Sequence, residues 1–199
     1  MKEALKICVA TNNEHKMGEL RAIFKDNNIV LYSLKDLNIN VNPEENGKTY
    51  FENAYIKAHE VSKFTTLPVL SDDSGIEIDA LGEHVPGIYS HRYSEEHGGQ
   101  PATNLLLVTK YAGSKARFTS AFVLLNLEPN SRNDFEGVVN GKIADKIEGE
   151  GGFGYDPIFI PEGYTHSVAT LSPNEKNHIS HRYKASVKLL EFLKNKNYI

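Results

Sequence analysis

Asp72 and Asp73 stand side by side between an apolar lead-in, Leu67-Pro-Val-Leu70, and Ser74-Gly75, beyond which Ile76 and Ile78 resume at every second position. Apolar patterning on both sides predicts two short strands, with Asp72, Asp73 and Ser74 on the turn between them. Adjacent carboxylates on a largely fixed backbone repel one another, a situation relieved by a bound cation or by a raised pKa. Turns also use Asp, Ser and Gly for purely local reasons, so the meaning of the pair depends on what the rest of the chain brings to it.

Several other stretches bring chemistry. Thr11-Asn12-Asn13-Glu14-His15-Lys16 follows the apolar run from Leu5 to Ala10 and precedes Met17, Leu20 and Phe24 at helical spacing. Strand, polar turn and helix in that order leave free N–H groups that can hold phosphate, with Asn12 or Asn13 as cap and Lys16 adding positive charge. Glu45, in the turn Pro43-Glu-Glu-Asn-Gly47, and Lys57, off the apolar stripe of the next helix, are isolated charges. Four glycines between Gly149 and Gly154 surround Phe153 and lead into Tyr155 and Asp156, freeing the backbone to approach a ligand closely. A ring beside an acid offers a flat heterocycle a stacking face and an edge partner. Lys176, His181 and Arg182 gather near the start of a C-terminal helix, where cations oppose the dipole unless something anionic or carbonyl-rich lies close. Phosphate, divalent metal, planar base and base edge are the four needs of a nucleoside triphosphate site. The spacings of His84, His91 and His97 are irregular and no cysteine is near them, which argues against zinc.

The elements that must position these groups follow from periodicity. Helices are expected after Lys16, along Phe51, Ala54, Tyr55, Ala58 and Val61, from Pro101 to Ala112, and along Val187, Leu190 and Leu193, with Ser180 as cap of the last. Strands are expected from Leu5 to Ala10, Ile29 to Ser33 and Ala116 to Leu127, with one or two more between Phe135 and Ile147 turning at Asn140-Gly141. Ala80 to Tyr93, broken by Gly82, Pro86 and Gly87, reads as a shaped loop. Alternating helices and strands followed by a strand-rich middle predict an α/β chain with a mixed sheet. Neither repeat nor linker interrupts its 199 residues, so residues 1–199 are expected to form a single domain.

Composition narrows the classes. Hydrophobic residues at 40% and charged ones at 24% fit a globular enzyme and are too apolar for disorder, while a formal net charge of -4 argues against a general nucleic-acid surface. The single cysteine, Cys8, excludes a disulfide framework. No apolar run approaches the roughly 20 residues of a membrane span, and the start, Met1 to Leu5, lacks a signal pattern, so the expected location is the cytoplasm.

Thr11 to Lys16, Asp72-Asp-Ser-Gly75, Pro86-Gly-Ile-Tyr89, Gly151-Gly-Phe-Gly-Tyr-Asp-Pro157 and Ser180-His-Arg182 resemble, in order, the motifs of the inosine triphosphate pyrophosphatase family. The resemblance runs from Val9 to Ala185 and implies a two-lobed α/β fold with a long mixed central sheet flanked by helices and an active-site cleft between lobes. It implies a homodimer that removes noncanonical purine triphosphates (ITP, dITP, XTP) from the nucleotide pool. The reaction it implies is attack of water on the α-phosphorus, giving the nucleoside monophosphate and pyrophosphate. Carried over residue by residue, Asp73 is metal ligand and proton acceptor, Glu45 completes the coordination of Mg2+, and Asp72 supports the site. Lys16 and Lys57 contact phosphate, with Thr11, Asn13 and Ser74 as hydrogen-bonding partners and Asn12, Glu14 and His15 in the same substrate-binding stretch. By the same resemblance Phe153 would stack on the purine in a loop with Gly154, Tyr155 and Asp156, while Lys176, His181 and Arg182 would donate to the 6-oxo edge. Adenine would set N–H against N–H in such a pocket, and leaving buried donors unpaired can discriminate by ~10⁴ or more. Asn12 and Tyr183 stand where the family commonly has glycine. The alternatives are a pyrophosphatase for other nucleotides, such as pyrimidine triphosphates, and a non-catalytic purine nucleotide sensor. Neither nucleic acid nor membrane is an expected partner.

Overall fold

Residues 3–199 are described by a computed structural model. The first apolar run becomes β1 (Leu5–Val9), which pairs in parallel with β2 (Ile29–Ser33) from Leu5↔Ile29 to Val9↔Ser33 and with β3 (Val69–Ile78) at Cys8↔Val69 and Val9↔Leu70. With β4 (Lys115–Leu125), β5 (Arg132–Ile143) and β6 (Phe159–Pro161) the strand order is β2-β1-β3-β4-β5-β6. β6 runs antiparallel to β5, so the sheet is mixed, as expected for this α/β chain. The helices are α1 (Glu14–Phe24), α2 (Tyr50–Ser62), α3 (Ser90–Glu96), α4 (Gln100–Tyr111), α5 (Pro173–Ile179) and α6 (His181–Asn195). Among the described residues no helix is long and apolar enough to cross a membrane.

The chain divides into two compact units, the first comprising the residues up to Asp73 with Ser120–Gly137 and Arg182–Ile199, the second Ser74–Thr119 with Val138–His181. In the first unit β1 and the adjoining parts of β3 and β4 are covered on both faces, which is why they read as unbroken apolar runs. Ile7, Val9, Leu70, Phe122 and Leu124 pack with Met17, Leu20 and Phe24 of α1 and Ala185, Leu189 and Leu193 of α6. Cys8, Val69, Val123 and Leu125, one position out of phase, pack with Ala54, Ala58 and Val61 of α2.

The second unit has one dry face. Ile76, Ile78, Ala116, Phe118, Val139, Ile143 and Phe159 pack with Leu107 and Val108 of α4. The alternate positions Lys115, Arg117, Asn140 and Lys142 are exposed, and the buried carboxylate of Glu77 accepts from Arg117 at 2.7 Å and pairs with His84 at 2.9 Å.

The structure corrects two expected turns. Val69 to Ile78 is one strand, so Asp72, Asp73 and Ser74 lie within β3 and not on a turn. Nine of its ten residues are buried, and the ladder continues because Asp72 and Asp73 find partners on either side of it. Asn140-Gly141 is likewise inside β5. Gly141 faces Pro161 of β6, and a Cβ there would come within 2.2 Å of the Ile160 carbonyl oxygen, so close strand approach and not a hairpin requires the glycine. Two short helices, α3 and α5, occupy stretches that apolar spacing did not mark.

Candidate active site

Period-2 alternation sends the two aspartates of β3 to opposite faces of the first unit, and their surroundings make them different acids. Asp72 shares the side of Leu70, toward α1 and α6. Its carboxylate accepts from Ser120 Oγ at 2.6 Å and from Arg182 Nε at 3.0 Å and Nη2 at 2.9 Å, with Lys16 Nζ at 3.3 Å. Arg182 is 0% exposed and also donates to Glu19. Burial opposes the charge on Asp72, but Arg182, Lys16 and the Ser120 hydroxyl outweigh it and hold this carboxyl well below the usual range. Burial likewise opposes the charge on Arg182, and Asp72 and Glu19 hold its pKa up.

Asp73 shares the side of Val69 and Ser71, toward α2. It is 6% exposed; Oδ1 accepts from Lys57 Nζ at 3.3 Å, while Oδ2 is buried and has no hydrogen-bond partner. Burial pushes its pKa up to about 6, against the pull of Lys57 and Lys16 and with a push from Glu45 and Asp72. Lys57 commits its three donors to Glu45 Oε2 at 3.1 Å, the Asp72 carbonyl at 3.0 Å and Asp73 Oδ1. Burial works to discharge Lys57, and Asp73 and Glu45 reverse this, so its pKa is raised. Lys16 goes the other way, lowered by burial, with Asp72 opposing and Lys57 and Arg182 adding to the fall.

The start of α1 lies in the same unit. Asn13 is the cap, its Oδ1 accepting from Lys16 N at 3.1 Å, and its own N–H donates to Thr11 Oγ1 at 3.1 Å. Asn12 does not need a left-handed backbone: its φ is not positive, and its side chain donates to the Val41 carbonyl at 3.1 Å. Glu14 and His15 are exposed in the first helical turn.

In the second unit, one oxygen organises the aromatic loop. Asp156 Oδ2 accepts from the Phe153 N–H at 2.8 Å and from Lys176 Nζ at 2.6 Å, and that ammonium lies 4.8 Å from the Phe153 ring centroid. Gly152 is left-handed at φ +71°, and a Cβ on it would fall 2.1 Å from the same oxygen. Tyr155 belongs to the core, its hydroxyl donating to the Ser90 carbonyl at 2.6 Å, and burial holds its pKa up. The His181 ring stacks on Phe118 with centroids 4.8 Å apart and planes 9° from parallel. Lys176, His181 and Ser180 line a small cavity with Phe118 and Asp156.

The first unit thus brings together Lys16, Glu45, Lys57, Asp72 and Asp73 beside Thr11 to His15, and the second brings together Phe153, Gly154, Asp156, Lys176 and His181. Ser74 opens the second unit, directly after Asp73 in the chain. Arg182 belongs to the first unit, where its guanidinium serves Asp72 and Glu19 and does not line the cavity of Lys176 and His181. Sequence reasoning passed over Ser120 and Glu19. A serine inside the apolar run Phe118 to Leu125 was a usable sign of a buried polar partner; nothing local marks Glu19 as a partner of a residue 163 positions away.

A family model described as the Ham1 family matches residues 7–192. A dITP/XTP pyrophosphatase of Clostridium perfringens is 38% identical over 95% of this chain and 97% of its own length. One from Aquifex aeolicus is 40% identical over 96% and 98% respectively. Among solved structures, a HAM1 protein from Coxiella burnetii superposes with a TM-score of 0.83 at 34% identity, covering 96% of this chain and 99% of its own.

Proposed function

The chain belongs to the Ham1 family, and from that premise we propose that it hydrolyses noncanonical purine nucleoside triphosphates, dITP, XTP and ITP, to the nucleoside monophosphate and pyrophosphate. Curated relatives named dITP/XTP pyrophosphatase at about 40% identity support the substrate class. The observation that carries the chemistry is Asp73: a buried carboxylate with one oxygen on Lys57 and the other without a hydrogen-bond partner. That second oxygen can take the proton of a water as the water oxygen bonds to the α-phosphorus and the bond to the bridging oxygen breaks, releasing pyrophosphate.

Each unit has its own share of the work. Lys16, Lys57 and the capped start of α1 set positive charge and N–H donors where phosphate charge is to be held. Asp72 acts through others: it fixes Lys16 and Arg182. Phe153 offers a stacking face and Lys176, with His181, donors suited to a 6-oxo group and mismatched to the amino group of adenine.

The donor set also fits magnesium, which takes one or two carboxylates and completes its shell with water and substrate phosphates. Glu45 and Asp73 would hold it. Bound there, the ion would neutralise phosphate charge and polarise the phosphoryl oxygens. The family resemblance further supports a homodimer acting on the free nucleotide pool of the cytoplasm, with neither nucleic acid nor membrane as partner.

The test is pyrophosphate release from ITP, XTP, GTP, ATP, dUTP and TTP with magnesium, for the native chain and Asp73→Asn. Release from ITP and XTP that vanishes in the variant is the expected result. Preferential cleavage of dUTP or TTP would overturn the base assignment, and binding of ITP without cleavage would make the protein a sensor.

A further inference from the structure

Asp156 holds the entry of the Phe153 turn through the Phe153 N–H. The exit is held by Asn104 of α4, a residue outside every motif that the sequence singled out. Asn104 is buried; its Nδ2 donates to the Gly154 carbonyl at 3.0 Å, and its Oδ1 accepts from Gln100 Nε2 at 2.9 Å. Gln100 sits four residues earlier, on the same face of α4. With Oδ1 engaged as an acceptor, the NH2 end of the Asn104 amide is the end that faces Gly154.

Gly154 shows why the hold matters. Its φ is +63°, yet a Cβ would meet nothing within 4 Å, so the glycine answers to the backbone alone. No side-chain packing holds the glycine itself, and Asn104 ties its carbonyl.

We propose that Asn104, oriented by Gln100, is a positioning residue for base recognition: it locks the Phe153-Gly154 turn so that the ring presents a fixed face to the purine. This rests on the reading that the loop receives a purine base. Asn104 makes its hydrogen bonds within the second unit, to Gly154 and Gln100, so its expected contribution is to binding of the base and not to the chemical step.

KM and kcat for ITP are measured in the native full-length chain, Asn104→Ala and Gln100→Ala, together with the inhibition constant of inorganic tripolyphosphate, which has the phosphates without the base. Loss of one buried hydrogen bond is expected to raise KM about tenfold in Asn104→Ala and about two- to threefold in Gln100→Ala. In both variants kcat stays within about twofold and tripolyphosphate inhibits as in the native chain. If Asn104→Ala does not fold, Gln100→Ala carries the test alone. A parallel loss for ITP and tripolyphosphate, a fall in kcat at unchanged KM, or no change in either variant overturns the inference while native cleavage of ITP stands. A native chain that releases no pyrophosphate from ITP overturns the proposed function and this inference with it.

Discussion

In the first unit Lys57 spreads its three donors over three acceptors while Asp73, next to it, keeps a buried oxygen without a partner. In the second unit a single oxygen, Asp156 Oδ2, holds both a lysine and the backbone of the ring that the lysine faces. One region keeps an acceptor unsatisfied; the other has its charges closed on each other and fixes a shape. Chemistry needs a group that has something left to accept, whereas discrimination between flat bases needs a surface that does not move. The two demands would conflict in one cluster, and the proposed roles fall on separate sets of residues.

The comparison breaks most sharply at Asp73. Asp73→Asn is expected to lower kcat by ~10³-fold or more with little change in KM for ITP, measured by pyrophosphate release. Asp72→Asn, one residue away, should act on stability instead. Leaving buried Arg182 and Lys16 short of their counter-charge is expected to cost about 3–5 kcal/mol, read as a lower denaturant midpoint at unchanged slope.

In the second unit, Phe153→Ala should remove roughly 1–3 kcal/mol of stacking, raising KM for ITP by about 10- to 100-fold while kcat holds. The smallest effect concerns Glu77 on the open face of that unit. Burial opposes its charge, but the hydrogen bonds from Arg117 and His84 prevail and lower its pKa below 4.5. A carboxylate whose folded pKa is depressed adds stability that is present above the unfolded value and lost as pH falls through the folded one. Glu77→Gln should therefore flatten the acid side of the stability curve below about pH 4.5, by under about 1 kcal/mol given the exposure of Arg117, as followed by thermal melts from pH 3 to 7.

Much of this was legible in the chain. Apolar spacing located α1, α2 and β2 because each buries a face whose period is its own signature. It also located the strand, cap and lysine at the start of α1, since all three are local in sequence. What it misread was long-range. Asp72-Asp-Ser-Gly75 and Asn140-Gly141 have the composition of turns, and only the partners across space, Ser120 and Arg182 for the first and β6 for the second, keep them in strands. The same reason hid Asn104: an amide on a helix is unremarkable until the carbonyl it ties, fifty residues on, is known.

The opposite facing of Asp72 and Asp73 carries an evolutionary consequence. Val69, Ser71 and Asp73 share one side of β3 and Leu70 and Asp72 the other, so a single residue inserted or deleted between Leu70 and Asp73 would turn Asp73 to the side of Leu70. Lengthening the loop between β4 and β5 alters no such parity. Length variation among descendants of this chain is therefore expected to collect in its connections and to spare β3.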